Sequence, residues 1–175
     1  KRGLLNLRTT FDAVPYLCTK RNFELFEKHG VLNKTELICR ADTALEKYGK
    51  IIHIESLTLI EMINRDVLPA IFKYSDKLCN LIANKTAAGL EAAAEKAISK
   101  KLSDISESLY FLTQKLEEST KKAAETDKLI DSAGIYKNEV LSLMEEIRKL
   151  SDSAETLISR EYWPYPSYGD LLFKI

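Results

Sequence analysis

Apolar side chains recur every three or four residues through most of this chain, the spacing of one face of an α-helix. The longest such stripe begins with Leu37, Ala41, Leu45, Tyr48 and Ile52. It continues through Leu59 or Ile60, Ile63, Val67, Ile71, Tyr74, Leu78 and Leu81. It predicts a helix from Asn33 to about Ala83. Asn33-Lys34-Thr35-Glu36 supplies a capping-box start, in which the Asn carboxamide and the Glu carboxylate each take a free backbone N–H. Pro69 has no N–H and leaves the carbonyl of Arg65 without its usual donor. A kink is predicted there or, alternatively, a new helix capped by Asp66. A second helix is predicted from about Leu90 to Asp131, on Ile98, Leu102, Ile105, Leu109, Leu112, Leu116, Ser119 and Ala123. A third is predicted from Tyr136 to Ser159, on Tyr136, Val140, Leu143, Ile147, Leu150, Ala154 and Leu157. In these two the spacing alternates between four and three, as in coiled-coil packing. Glu117 with Lys121, Glu118 with Lys122, and Glu145 with Lys149 are placed for ion pairs on the outer faces. Gly30, Gly89 and Gly134 stand where helices would end in left-handed backbone.

Short connections make neighbouring helices antiparallel. The predicted fold is therefore all-α: an elongated antiparallel three-helix bundle, or coiled-coil hairpin, over residues 31–161. Its predicted core includes Leu102, Ile105, Leu109, Leu112, Leu116, Val140, Leu143, Ile147 and Leu150. Residues 1–30 read as a separate piece. Asn6 to Pro15 is an irregular lead-in, and Thr19 caps a short helix to about Lys28 with Phe23 and Phe26 on its apolar side. Residues 162–175 differ again. Pro164 and Pro166 hold the backbone extended there. Tyr162, Trp163, Tyr165, Tyr168 and Phe173 place five aromatic rings in twelve residues. Rings at that density seek a partner surface, so these five are the predicted docking residues.

Composition narrows the function classes. Of 175 residues, 45% are hydrophobic and 30% charged, with only six Gly and four Pro, which suits a packed helical domain. The 26 basic and 26 acidic residues cancel and form no basic block, so nucleic acid is not an expected partner. No apolar run approaches the ~20 residues of a membrane span, and the start lacks a secretory signal. Cys18, Cys39 and Cys79 are odd in number and widely spaced, which fits neither a disulfide framework nor a zinc site. A cytoplasmic location with reduced thiols is expected. The first residue is Lys, not Met, and an excised fragment is the expected reading.

Candidate chemistry is sparse. His53-Ile54-Glu55 matches part of the zinc-deaminase pattern, but the Pro-Cys-x-x-Cys that completes it is missing, so a helix surface or interface role is preferred. His29 beside Gly30 suits the C-terminal dipole of a helix. Gly49-Lys50 is not a phosphate loop, because Ala44 and Ile51 occupy the positions that need Gly and Ser or Thr. Ser99, Ser103, Ser106 and Ser108 have no His in register to activate them. The acidic residues fall on predicted solvent faces. No catalytic, cofactor-binding or metal-binding residue is assigned.

Two segments carry a more specific signal. Arg8-Thr9-Thr10-Phe11-Asp12-Ala13-Val14-Pro15-Tyr16-Leu17, followed by Asn22-Phe23-Glu24-Leu25-Phe26-Glu27-Lys28-His29-Gly30-Val31, resembles the end of the catalytic domain in type III glutamine synthetases. Tyr162-Trp163-Pro164-Tyr165-Pro166-Ser167-Tyr168-Gly169-Asp170-Leu171-Leu172-Phe173 resembles the C-terminal ending of the same class. Between them, Ile51-Ile52-His53-Ile54-Glu55 and Arg65-Asp66-Val67-Leu68-Pro69-Ala70 are similar to its long helix, with His53 in the usual Asn place. The second and third helices match in pattern only.

The resemblance implies a parent enzyme that joins ammonia to L-glutamate through a γ-glutamyl phosphate, using ATP and Mg2+ or Mn2+. The motifs for those ligands do not occur in this chain. Asn64-Arg65 is superficially like the start of the family's arginine motif, but no Arg follows at the family's spacing. The chain is therefore expected to be a structural and assembly region without ligase activity of its own. Its expected partners are the rest of the synthetase chain and other subunits of a homo-oligomer. The alternative is a free-standing helical scaffold or coiled-coil module with no enzymatic role.

Overall fold

The computed structural model describes residues 3, 5–166 and 168–173, the Tyr168 side chain excepted. Among them there are helices and turns and no strand. The helices are α1 (Thr10–Leu17), α2 (Lys20–Lys28), α3 (Lys34–Met62), α4 (Leu68–Ala87), α5 (Ala93–Ala124), α6 (Leu129–Ile135), α7 (Leu141–Glu155) and α8 (Tyr168–Leu172). Two π-turns, Ile63–Val67 and Tyr136–Val140, join α3 to α4 and α6 to α7. The capping box at α3 closes reciprocally: Asn33 N–H donates to Glu36 Oε2 at 2.7 Å, and Glu36 N–H donates to Asn33 Oδ1 at 2.9 Å.

Several expectations need correction. The lead-in is helical from Thr10, because Thr9 caps it. The Thr9 hydroxyl accepts from Asp12 N–H at 3.2 Å and donates to the Asp12 carboxylate at 2.9 Å. That local cap outweighs Pro15, which forfeits one bond near the end of the helix. Gly30 (φ 62°) and Gly89 (φ 72°) follow helix ends in left-handed backbone, whereas Gly134 lies inside α6 without a positive φ. The turn comes earlier, after Ala124. Gly134 instead admits the Phe11 ring: a Cβ there would stand 3.3 Å from Phe11 Cε2.

Pro69 does not break the helix. Val67 and Leu68 keep right-handed helical angles, and Leu68 N–H bonds to the Ile63 carbonyl, five residues back. The wide turn takes up the bond pattern that the proline disrupts, so Asp66 caps nothing. Lys121 pairs with Glu125 at 3.9 Å. Lys122 leaves Glu118 for Glu139, 2.8 Å away on the second π-turn. Glu145 and Lys149 pair at 2.7 Å.

The chain divides into two compact units, Lys1–Leu57 with Glu118–Ser142, and Thr58–Glu117 with Leu143–Ile175. The core of the first holds Val14, Ala41, Leu45 and Ala133, with Phe11, Leu17, Cys18, Ala44 and Tyr48 packed against it. Its polar contacts include Lys137 to Asp12 at 2.6 Å, with the Lys137 ammonium over the Phe11 ring. The hydrogen bond from Lys137 is the main reason the Asp12 carboxyl sits below its ordinary pKa. The second unit buries Ile63, Val67, Leu68, Ile71, Leu78, Leu102, Leu109, Leu116 and Ile147. Within it, α4 and α5 run antiparallel, since Cys79 meets Ser99 and Lys85 meets Glu95.

Burial along the last helices keeps a seven-residue step. Leu102, Leu109, Leu116 and Ala123 are completely buried in α5, as are Val140, the last residue of the second π-turn, and Ile147 and Ala154 of α7. Ile105, Leu112, Leu143 and Leu150 are half-buried. In α5 a second buried line runs through Thr113 and Thr120, one residue past the expected Leu112 and Ser119, while in α7 Leu143 and Leu150 flank the fully buried line.

Candidate docking site of the C-terminal segment

The second unit carries a polar and aromatic site built from α4 and the segment after α7. Tyr74 and Lys77, three residues apart, share one side of α4, and Asp66 stands on the π-turn that precedes it. After α7 the chain turns back on itself through Leu157 N–H and Ile158 N–H to the Ala154 carbonyl, then Tyr162 N–H to the Ser159 carbonyl. Ile158 is buried and anchors that turn.

Tyr162 then packs on Tyr74, ring centres 5.5 Å apart, with the Lys77 ammonium 4.9 Å from the Tyr162 centroid. Lys77 also lies 3.8 Å from the Glu161 carboxylate. Its pKa is raised, first by Tyr162 and to a lesser degree by Glu161. Pro164 keeps the strand of chain extended, which carries Tyr165 to the first π-turn. There the Tyr165 hydroxyl donates to Asp66 Oδ2 at 2.9 Å. Burial, with the Asp66 carboxylate beside it, pushes the Tyr165 phenol up to about 12. Trp163 stacks edge-on against Tyr165 at 6.2 Å. Tyr162, Trp163 and Tyr165 are all half-buried.

The far end of the segment is different. Arg160 pairs with Asp170 at the base of α8. Beyond that pair Leu171, Leu172 and Phe173 are 66%, 71% and 78% exposed. Of the five sequence-predicted docking residues, Tyr162 thus meets α4, Tyr165 meets the first π-turn, Trp163 packs on Tyr165, and Phe173 faces solvent. The Tyr168 side chain lies outside the described residues. The sequence pattern places Tyr74 only in the apolar register, offers Asp66 only as the alternative cap of a new helix and gives Lys77 no role. The extra residue of the π-turn rotates Asp66 to where a phenol can reach it, and nothing in the periodicity announces that turn.

His53 has a partner in the first unit. The Tyr136 hydroxyl and His53 Nδ1 are 3.1 Å apart, with the rings edge-on. Burial raises the Tyr136 phenol. Ser56 donates to the His53 carbonyl at 2.8 Å, and buried Thr120 donates to the Ser56 hydroxyl at 3.2 Å. Gly49 lies beside the Tyr136 ring, and a Cβ there would meet that ring in ordinary contact at 3.4 Å. This arrangement fixes helix register and holds no nucleophile paired with a base. Among the described residues no three of His, Cys, Asp and Glu converge as metal ligands, and no helix is long and apolar enough to cross a membrane.

Residues 1–86 match the family described as "Glutamine synthetase C-terminal domain". The whole chain aligns, at 38% identity over 177 residues, with 25% of a glutamine synthetase of Butyrivibrio fibrisolvens. It is 29% identical to 24% of a type-3 glutamine synthetase of Dictyostelium discoideum, with 98% of this chain covered. A glutamine synthetase of Bacteroides fragilis (strain YCH46) is 28% identical over 99% of this chain and 25% of its own length. The chain spans about a quarter of the length of these relatives.

Proposed function

Because this chain belongs to the glutamine synthetase family, in the region of its C-terminal domain, we propose that it is the structural and assembly part of a type III enzyme. The parent would ligate ammonia to L-glutamate at the expense of ATP, with Mg2+ or Mn2+, in the cytoplasm. Those ligands would be held by residues outside this chain. Its own work would be to contact the rest of the synthetase polypeptide and neighbouring subunits.

The observation that carries this reading is the docked C-terminal segment. A hydrogen bond, a cation–π contact and ring contacts hold residues 161–165 against α4 and the π-turn before it. Three large apolar side chains are then left exposed, Leu171 and Leu172 on α8 and Phe173 just after it. Exposed apolar clusters of this kind mark contact surfaces. We further take the three long helical stretches to form an antiparallel bundle. The opposed run of α4 and α5 and the seven-residue burial step support this.

The test uses the full-length synthetase with and without residues 162–175. Loss of oligomer size by light scattering, with activity falling alongside, is the expected result. An unchanged oligomer together with solvent-like Trp163 emission in the full-length protein would remove the structural role of the segment.

A further inference from the structure

We propose that a groove in the first unit is covered, in the complete synthetase, by the catalytic portion of the same polypeptide. The inference rests on the reading above and adds to it a particular surface. The groove, about 460 Å³, is walled by Ala44, Tyr48, Ile51, Ile52 and Leu141, with Lys47 also lining it. These are apolar walls with one cation. Ile51 is 45% exposed, and Ile54, one turn further along α3, is 64% exposed. A surface helix ordinarily turns polar residues outward at such positions, so an apolar wall that continues into exposed isoleucines reads as half of an interface.

The choice of occupant follows from where the chain arrives. Thr10, the first residue of α1, lines the same groove. The relatives are about four times longer than this chain. Their remaining mass, if joined ahead of Lys1, would be tethered nine residues from Thr10. At full extension that tether spans only ~30 Å. A surface held that close has an effective concentration of order millimolar, well above that of a separate molecule. Leu5, within that lead-in, is itself exposed. The groove is therefore filled in cis, by an apolar face with an acidic group within reach of Lys47.

The experiment uses the full-length enzyme with Ile51→Cys or Ile54→Cys, alkylated with a maleimide and read by peptide mass mapping. Native Cys39, exposed on the same helix, and native Cys79, exposed on α4, are the references in the same chain. The introduced thiols should react at least tenfold more slowly than Cys39 and Cys79, and should stay protected when the oligomer is dissociated. Rates comparable to the references overturn the proposal. Protection that vanishes on dissociation also overturns it, since the cover is then a second subunit. Neither result touches the reading of the region as an assembly element, which the truncation of residues 162–175 tests separately.

Discussion

Leu109→Ala tests the seven-residue seam most directly. Leu109 is completely buried, with Leu102 and Leu116 equally buried one heptad to either side. Truncation to Ala removes three carbons, or ~2.4 kcal/mol of transfer free energy at ~0.8 kcal/mol for each. The fixed backbone of a long helix prevents full collapse of the space left behind, which brings the cost to ~3–4 kcal/mol. For a domain of this size each kcal/mol lowers Tm by ~2–4 °C, so the drop should be ~6–16 °C. Leu112→Ala, at a half-buried flanking position, should cost about half as much. Leu90→Ala, 62% exposed, should fall within ~0.5 kcal/mol of wild type. Circular dichroism melts and urea titrations of the three variants supply the ranking. Should Leu109→Ala melt with Leu90→Ala, the seam is misplaced and the argument from heptad spacing fails. Leu109→Asp, which puts a charge in the same position, should cost several kcal/mol more.

Four further outcomes are expected. Tyr165→Phe removes the hydroxyl that donates to Asp66 and should destabilise by ~1–2 kcal/mol at neutral pH. The Tyr165 phenol is raised from 10.0 to about 12, so the unfolded chain loses that proton first. Stability from this site is therefore present below pH 10 and declines between about 10 and 12, a slope that denaturation of Tyr165→Phe in alkali should lack. Asp12 is lowered by Lys137, so its contribution is present above the ordinary carboxylate value of 3.8 and is lost as acid reprotonates it; Asp12→Asn should flatten the acid limb of the stability curve. Gly49→Ala should raise stability by up to ~1 kcal/mol, because a mid-helix Gly is replaced and the new methyl meets Tyr136 at 3.4 Å. Gly30→Ala should lower it by ~1 kcal/mol, since φ there is 62°, and thermal melts of the two variants should move in opposite directions.

Much of this protein was legible as pattern. The three-and-four spacing named the helical stretches, since an amphipathic stripe that long has no other way to bury its apolar face. Asn33 and Glu36 announced the start of α3, because a capping box is closed by residues three apart. Gly30 and Gly89 announced helix ends for an equally local reason, the low cost of left-handed backbone without a Cβ. The resemblance in the N-terminal and C-terminal segments also named the family without any structure.

What tertiary structure decided involves partners distant in the sequence. Gly134 looks like a helix end until Phe11, more than a hundred residues away, is found against it. Pro69 announces a disturbance, but the π-turn that absorbs it aims Asp66 at Tyr165, 99 residues on. His53 stands in a position where the resemblance puts Asn, and the phenol that its ring meets belongs to Tyr136, 83 residues on. Lys122 could have paired within its own helix and pairs with Glu139 instead. Periodicity fixes which face of a helix is buried. Which residue of another helix meets that face depends on the axial rotation that each π-turn imposes, and one added residue changes it by about 100°.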